Sequence, residues 1–362
     1  MKPVTDWIGL DIGGANIKLA HESGLAFCDP FCLWKAPQQL AARIKHLLQR
    51  ASDTLWDEES LCPNFGVVAT MTGELADCYP TKKYGVRHIL NSTSEAVRVS
   101  LGTEVPLLIY STSGFLPHVR AALESWEAVA AANWHGLAQF VASWQLNRTG
   151  LLFDLGSTTT DLIPYSQGKV LANGSTDCER LHWGELIYVG TLRTPLCSLI
   201  QELPFRGQHY PVAKEFFATM KDIFLLSGMI AEDEEDFDTA DGRASTKELA
   251  RGRLARMLCL DSESYTMEDA QLATEYVVNC YQEVLGKSLV RHLSQRKESE
   301  WDQIVVSGSG EHLARSIAQK VAPGIEIVSL RDSWGVEAST AAPAFALAKL
   351  ASQLYPREGS PS

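Results

Sequence analysis

None of the eight cysteines stands in a Cys-x-x-Cys pair, which removes zinc-ribbon and thioredoxin-type redox motifs from consideration. They are scattered at Cys28, Cys32, Cys62, Cys78, Cys178, Cys197, Cys259 and Cys280, as expected of reduced core fillers in a cytoplasmic protein. Basic runs are also missing. The 32 Lys and Arg stand against 44 Asp and Glu, a net charge of -12, and no Lys/Arg run points to the clustered basic face that nucleic acid needs. Every long apolar window is broken by charge before about 18 residues, so no membrane span is expected. The opening "MKPVTDW" leads toward a strand without the apolar core of a signal peptide.

What is present is a chain of 362 residues, 45% of them hydrophobic, enough to fill two cores. Its first notable stretch is "WIGLDIGGANIKLA", Trp7 to Ala20, in which Asp11 and two adjacent glycines interrupt two alternating apolar runs. Ile8 and Leu10, then Ile17 and Leu19, have the period of two expected of half-buried strands, so the break reads as a hairpin turn. Gly13 and Gly14 are free to take positive φ and let bare N–H groups converge on a phosphate, with Asp11 holding a cation beside it. An ordinary hairpin satisfies the glycines equally well. The pattern returns, however, in "LLFDLGSTTTDLIPY", Leu151 to Tyr165, with Asp154 where Asp11 stands and Gly156 where Gly13 stands. Matching offsets in matching hairpins point to two lobes of one design, each with a phosphate loop. In the second loop Ser157, Thr158 and Thr159 add hydroxyl donors.

Between and after the hairpins, strands and helices alternate. "LAARIKHLLQRA" (Leu40 to Ala51) has helical spacing, and "NFGVVATMTGEL" (Asn64 to Leu75) reads as a buried strand, a small-residue turn and a helix start. "EVPLLIYS" reads as a strand and "SWEAVAAANWHGLAQFVASW", Ser125 to Trp144, as one long Ala-rich helix. A short strand near Lys169 to Ala172 follows, then a helical insertion, 211–296. "WDQIVVSGSGEHLARSIAQ" closes as strand, Gly turn and helix, and an Ala-rich helix over 336–353 packs back on the first lobe. The division this implies is 1–115 plus that last helix, then 116–335, then a frayed tail, 354–362.

That order resembles the actin, sugar kinase and Hsp70 ATPase superfamily, an α/β class with two lobes and a phosphate-binding hairpin in each. Within it, "MTGEL" and "FDLGSTTTDL" are similar to the hydantoinase and oxoprolinase branch. "GLDIGGANIK", "AANW", "GELIYVGTLRTPLC", "TADGR" and "GRLARML" resemble proteins linked to tetrahydromethanopterin and methanofuran one-carbon metabolism. The resemblance implies a transferase that joins a furanylmethyl diphosphate to the phenol of glutamyltyramine with loss of diphosphate. It implies Mg²⁺ held by Asp11 and Asp154, and phosphate contacts from Gly13, Gly14, Asn16, Lys18, Gly156, Ser157, Thr158 and Thr159. Many kinases of the superfamily carry Ser or Thr where this chain has Ala15 and Asn16, and the adenine-side motif is reduced to Gly308 and Gly310, so ATP binding stays open.

A base must take the phenol proton. Asp161 and Glu185 are candidates, although a surface ion pair is the commoner fate of either. Tyr188, Gly190 and Arg193 follow strand-like spacing, and Arg193 suits a substrate carboxylate or phosphate or, alternatively, ties down a loop. Asp241 and Arg243 of "TADGR" carry a substrate-side role by resemblance. The acidic stretch around them lacks the twelfth-position Glu of a calcium loop and reads as solvated. Cys28, Cys32 and His21 lack a second ligand pair for a metal. The partners expected are a phosphorylated small molecule and, at most, a second copy of the chain. An ATP-dependent ring-opening enzyme or small-molecule kinase, and a non-catalytic nucleotide-binding protein, are the two alternatives.

Overall fold

The computed structural model describes residues 6–55 and 65–355. Cys62 and nearly all of the expected tail fall outside them. Strands β1 (Asp6–Ile12), β2 (Asn16–His21), β3 (Ala26–Pro30), β4 (Phe65–Met71), β5 (Leu107–Ser111) and β6 (Gly114–Leu116) form one sheet in the order β3-β2-β1-β4-β5-β6. A second sheet is built from β7 (Thr149–Leu155), β8 (Thr160–Ser166), β9 (Lys169–Val170), β10 (Leu186–Ile187), β13 (Gln303–Ser307) and β14 (Glu326–Ser329). Its order is β10-β8-β7-β13-β14, with β9 beside β8. A separate hairpin joins β11 (Glu202–Phe205) to β12 (Gln208–Pro211).

The helices are α1 (Leu40–Leu55), α2 (Lys82–Leu101), α3 (Val119–Glu124), α4 (Trp126–Val129), α5 (Asn133–Trp144), α6 (Asp177–Trp183) and α7 (Leu196–Leu199). They continue as α8 (Met220–Leu226), α9 (Lys247–Arg256), α10 (Met267–Leu293), α11 (Glu311–Val321), α12 (Leu330–Trp334), α13 (Val336–Thr340) and α14 (Ala342–Leu354). No helix among the described residues is long and apolar enough to cross a membrane.

Contacts divide the chain into two compact units. The first takes residues up to Leu152, Ile163–Glu185 and the chain from Val328 on; the second takes Phe153–Leu162 and Leu186–Ile327. The chain therefore passes between the units at 152/153 and 162/163, within the second hairpin, and again at 185/186 and 327/328, and none of these crossings falls at residue 115.

In the first unit, β1 pairs antiparallel with β2 and parallel with β4, as the hairpin reading required. It is buried on both faces, not one. Ile8, Leu10 and Ile12 enter a core with Ile44, Leu47 and Leu48 of α1 and Ile89 and Leu90 of α2. The other face meets α14, and a Cβ on Gly9 would stand 1.9 Å from the Ala344 carbonyl oxygen. The Ala-rich composition of α14 allows that approach.

Two expected helices are interrupted. The stretch read as one helix over Ser125 to Trp144 is α4 and α5, broken at Ala130, with Ala131 in the left-handed region at φ 50°. The terminal helix breaks at Ala341 between α13 and α14. The helix start read at the end of "NFGVVATMTGEL" is a turn, and α2 begins only at Lys82; α6 was not read from the sequence. Their N-caps, Thr81 and Thr176, accept from Tyr84 N–H and Glu179 N–H, and Glu179 closes a capping box. The residues 188–194 are loop, not strand. In the second unit the insertion expected over 211–296 contains α8, α9 and the 27-residue α10, started by a Thr266/Asp269 capping box.

Candidate active site

The turn after β1 closes with Gly13 N–H donating to the Asn16 carbonyl at 2.9 Å. The turn after β7 closes identically, Gly156 N–H to the Thr159 carbonyl at 2.9 Å. The repeated offsets in the sequence are thus one repeated turn. Gly13 and Gly14 are outside the positive-φ region expected of them. At Gly13 the constraint is space, since a Cβ would lie 2.9 Å from the Asn16 carbonyl oxygen. The Leu33 and Phe31 N–H groups hold the Gly14 and Ala15 carbonyls at 2.9 and 3.0 Å.

Asp11 is the penultimate residue of β1 beside this turn, directly across from Lys18 on β2, which in turn faces Cys28 on β3. Burial pushes the Asp11 carboxyl above its ordinary range, against the pull of Lys18 and of a hydrogen bond from the Asn133 side chain. Asp11 Oδ1 is buried without a hydrogen-bond partner. Asn133 starts α5, and its Oδ1 accepts the Trp134 N–H at 2.7 Å, which leaves the amide group to donate. Left-handed backbone at an alanine is costly, of the order of 1 kcal/mol. The helix break at Ala131 is what sets Asn133 at a helix start, within reach of Asp11.

The turn following β4 is tied to the same loop. Thr72 and Gly73 N–H groups donate to the Ile12 carbonyl at 2.9 and 3.1 Å. Next comes Glu74, buried, with Lys82 3.5 Å away; Lys82 also lies 3.4 Å from Asp177. Asp177 meets Arg180 at 3.3 Å, and the Arg180 guanidinium lies over the Trp134 ring, 4.0 Å from its centroid. His135 shares a 2.9 Å hydrogen bond with the Tyr110 hydroxyl, and burial together with Arg180 holds its pKa down at about 4, so it is neutral at pH 7. Of these residues the sequence offered Glu74 and Asn133 only inside the motifs "MTGEL" and "AANW". An acid immediately after a buried strand and a Thr-Gly turn is the signal that would have singled out Glu74.

In the second unit three glycines close around the other loop. A Cβ on Gly190 would lie 2.5 Å from Thr158 backbone atoms, one on Gly310 2.5 Å from Leu155 Cγ, and one on Gly308 2.3 Å from the Leu155 carbonyl oxygen and 2.7 Å from Asp154 Oδ1. Gly308 also takes φ 90°. Residues 190–193 are strapped to the loop: Thr191 N–H donates to the Gly156 carbonyl, and Leu192 and Arg193 N–H groups donate to the Ser157 carbonyl, at 2.9, 2.9 and 3.0 Å. Gly310 caps α11, and its N–H donates to the Leu155 carbonyl at 2.9 Å. Asp154, Gly156, Ser157, Thr158 and Thr159 are all partly exposed at this loop.

The other candidates separate. Glu185 is fully buried in the first unit. Its Oε1 accepts Asn173 N–H and Nδ2 at 2.5 and 3.1 Å, and its Oε2 accepts Gly174 N–H at 3.0 Å. Both oxygens are committed to holding a turn, which removes the base role. Glu185→Gln is expected to cost about 1–3 kcal/mol by setting an amide N–H against those donors, with turnover per folded molecule retained; denaturant unfolding and active-fraction kinetics check it. Asp161 lies on β8 across from Leu186 and is partly exposed. Tyr188 and Arg193 are exposed on the strapped loop. Asp241 pairs with Arg243 at 2.6 Å, with Arg253 at 3.1 Å and with Arg256 at 3.5 Å. Its hydrogen bonds from Arg243 and the charge of Arg253 hold its carboxyl below the ordinary range despite partial burial. Among the described residues no three His, Cys, Asp or Glu group together as a metal site.

The profile of the hydantoinase/oxoprolinase family matches residues 66–354. The chain is 34% identical over 347 residues, 95% of its length and 96% of the relative's, to a (4-{4-[2-(gamma-L-glutamylamino)ethyl]phenoxymethyl}furan-2-yl)methanamine synthase from Methanocaldococcus jannaschii. It is 33% identical over 216 residues to a synthase of the same name from Methanococcus vannielii, covering 59% of this chain and 95% of that one. Among solved structures, an archaeal actin homologue aligns with 96% of this chain and 100% of its own at 11% identity and a TM-score of 0.42.

Proposed function

The chain belongs to the hydantoinase/oxoprolinase family, and we propose that within it the chain is a methanofuran-biosynthesis transferase. It joins a furanylmethyl diphosphate to the phenol of glutamyltyramine and releases diphosphate. The observation that carries this reading is the identity, running through nearly all of both chains, to a synthase named for that phenoxymethylfuran amine. The product serves one-carbon metabolism linked to tetrahydromethanopterin. Seven free cysteines among the described residues support a reducing, cytoplasmic setting.

The chemistry suits the residues. A carbon attached to an electron-rich furan loses diphosphate readily because the ring spreads the developing positive charge. The protein must chiefly stabilise the departing anion with fixed donors aimed at it. Each unit offers such donors of its own: the Gly13–Asn16 turn with Lys18 in the first, and the Gly156–Thr159 turn, with its three hydroxyls and the neighbouring start of α11, in the second. The buried, unpartnered Asp11 Oδ1 is an oxygen that a divalent cation would complete. Mg²⁺ binds through one or two carboxylates plus phosphate oxygens and water, so one carboxylate beside a phosphate loop is enough to hold it. When bound, it supplies positive charge against the leaving group.

With synthetic furanylmethyl diphosphate and glutamyltyramine the protein is expected to form the aryl ether and one diphosphate per turnover, without ATP. Calorimetry should show diphosphate with Mg²⁺ binding at least roughly tenfold more tightly than ATP, about 1.4 kcal/mol. Because the family also includes hydantoin- and oxoproline-opening enzymes, micromolar ATP affinity with ADP release and no ether would replace this reading with ATP-dependent ring opening.

A further inference from the structure

Glu74 is held beside the first loop from two sides. A Cβ on Gly73 would come within 3.1 Å of the Gly13 carbonyl oxygen, so the turn lies directly on that loop. From the other side α2 approaches until a Cβ on Gly85 would stand 2.1 Å from the Glu74 carbonyl oxygen. The Glu74 side chain is left 1% exposed. Lys82 Nζ reaches Oε1 at 3.5 Å, whereas Oε2 is buried without a hydrogen-bond partner. A buried carboxylate oxygen left unpaired costs about 1–3 kcal/mol or more. Glu185, equally buried, shows what a purely structural carboxylate looks like here, since both its oxygens are filled.

The surrounding charges decide what Oε2 lacks. Lys82 comes from α2, Asp177 and Arg180 from α6, and the 3.5, 3.4 and 3.3 Å contacts link Glu74, Lys82, Asp177 and Arg180 in a row. Two carboxylates and two cations already balance. A cationic ligand would meet Lys82, and an anionic one would meet Glu74. A neutral O–H donor disturbs neither charge. Burial also pushes the Glu74 carboxyl above its ordinary range, against the pull of Lys82. A general base works best when its pKa lies near the working pH.

Resting on the coupling reaction above, we propose that Glu74 is its general base and that Oε2 takes the phenol proton of the tyramine partner. The phenolate oxygen forms its bond to the furanylmethyl carbon, and the carbon–oxygen bond to diphosphate breaks with its electron pair going to the diphosphate. The proton on Glu74 returns to solvent in product release.

The test compares glutamyltyramine with a ring-fluorinated counterpart whose phenol is already ionised at the assay pH. Glu74→Gln should lower kcat for glutamyltyramine by about 10²–10⁴, abolish the acid limb of its pH profile, and leave diphosphate affinity unchanged. The fluorinated substrate should keep its rate to within about tenfold, because no proton remains to be taken. Equal losses on both phenols, or no loss on either, overturn the proposal, as does the same selective pattern in Asp161→Asn. Where Glu74→Gln does not fold, Lys82→Met tests the same point. Removing the neighbouring cation should move the acid limb to higher pH, and an unmoved limb overturns the proposal. Failure of the unaltered protein to make ether from either phenol would instead sink the coupling reading, and the base role with it.

Discussion

Asp154→Asn is expected to lower turnover of furanylmethyl diphosphate with glutamyltyramine by about a hundredfold or more, ~2.7 kcal/mol of transition-state stabilisation. The amide has the shape of the carboxyl and keeps its place beside Gly308, where a Cβ would come within 2.7 Å of Asp154 Oδ1. Thermal unfolding should therefore be nearly unchanged. On the proposed reading the substitution removes a negative charge beside the second loop that would hold a cation against the leaving diphosphate. Raising Mg²⁺ should recover part of the rate in the variant and little in the parent. Turnover unaffected by the substitution would eliminate metal-assisted departure of diphosphate at this loop.

Arg253→Met should produce the largest loss of stability, about 3–5 kcal/mol. Arg253 Nε meets Asp222 Oδ1 at 2.7 Å, and both side chains are essentially buried. Its Nη1 also reaches Asp241 at 3.1 Å. The substitution keeps apolar volume but leaves Asp222 as a buried charge whose remaining support is the Thr219 N–H at 2.9 Å. Burial already pushes the Asp222 carboxyl above its ordinary range, with Arg253 opposing, so loss of Arg253 raises it further. A group whose folded pKa is raised penalises the fold most once pH exceeds that value. The deficit of the variant should accordingly shrink as pH falls through the raised Asp222 pKa toward the ordinary carboxylate range. Urea unfolding of both proteins from pH 7 to pH 4 measures this, and a deficit that grows on acidification would show that Asp222 is not the group left exposed to the loss.

The "TADGR" motif takes a different meaning from the same network. Asp241 and Arg243 pair with each other, and Asp241 gathers Arg253 and Arg256 as well. Sequence shows that charged residues occur close together; it does not show whether they point at a ligand or at one another. The same gap explains Glu185, which was as good a base on paper as any acid near the second hairpin until its three N–H partners were visible.

Much of the architecture was written locally. The strands around Asp11 and Asp154, the helix at Leu40–Leu55 and the strand at Phe65–Met71 follow from period-two and period-3.6 apolar spacing with glycine at the breaks. The matched Asp and Gly offsets identified a repeated turn, because a hydrogen bond closing over three residues depends on little beyond those residues. Local signals failed where a distant element sets the outcome. Alanines at 130–132 read as helix by propensity, yet the chain breaks there, and the break sets Asn133 against Asp11. Gly9 and Gly85 look like any other glycines in sequence, and only the backbone brought against each shows why no Cβ fits. The sequence alone determined which turns the chain makes and which chemistry they can support, since those depend on neighbours a few residues away. Tertiary structure alone decided that the Glu185 carboxylate is spent while Asp11 and Glu74 each keep an oxygen to offer, because burial and hydrogen-bond partners come from residues far apart in the chain.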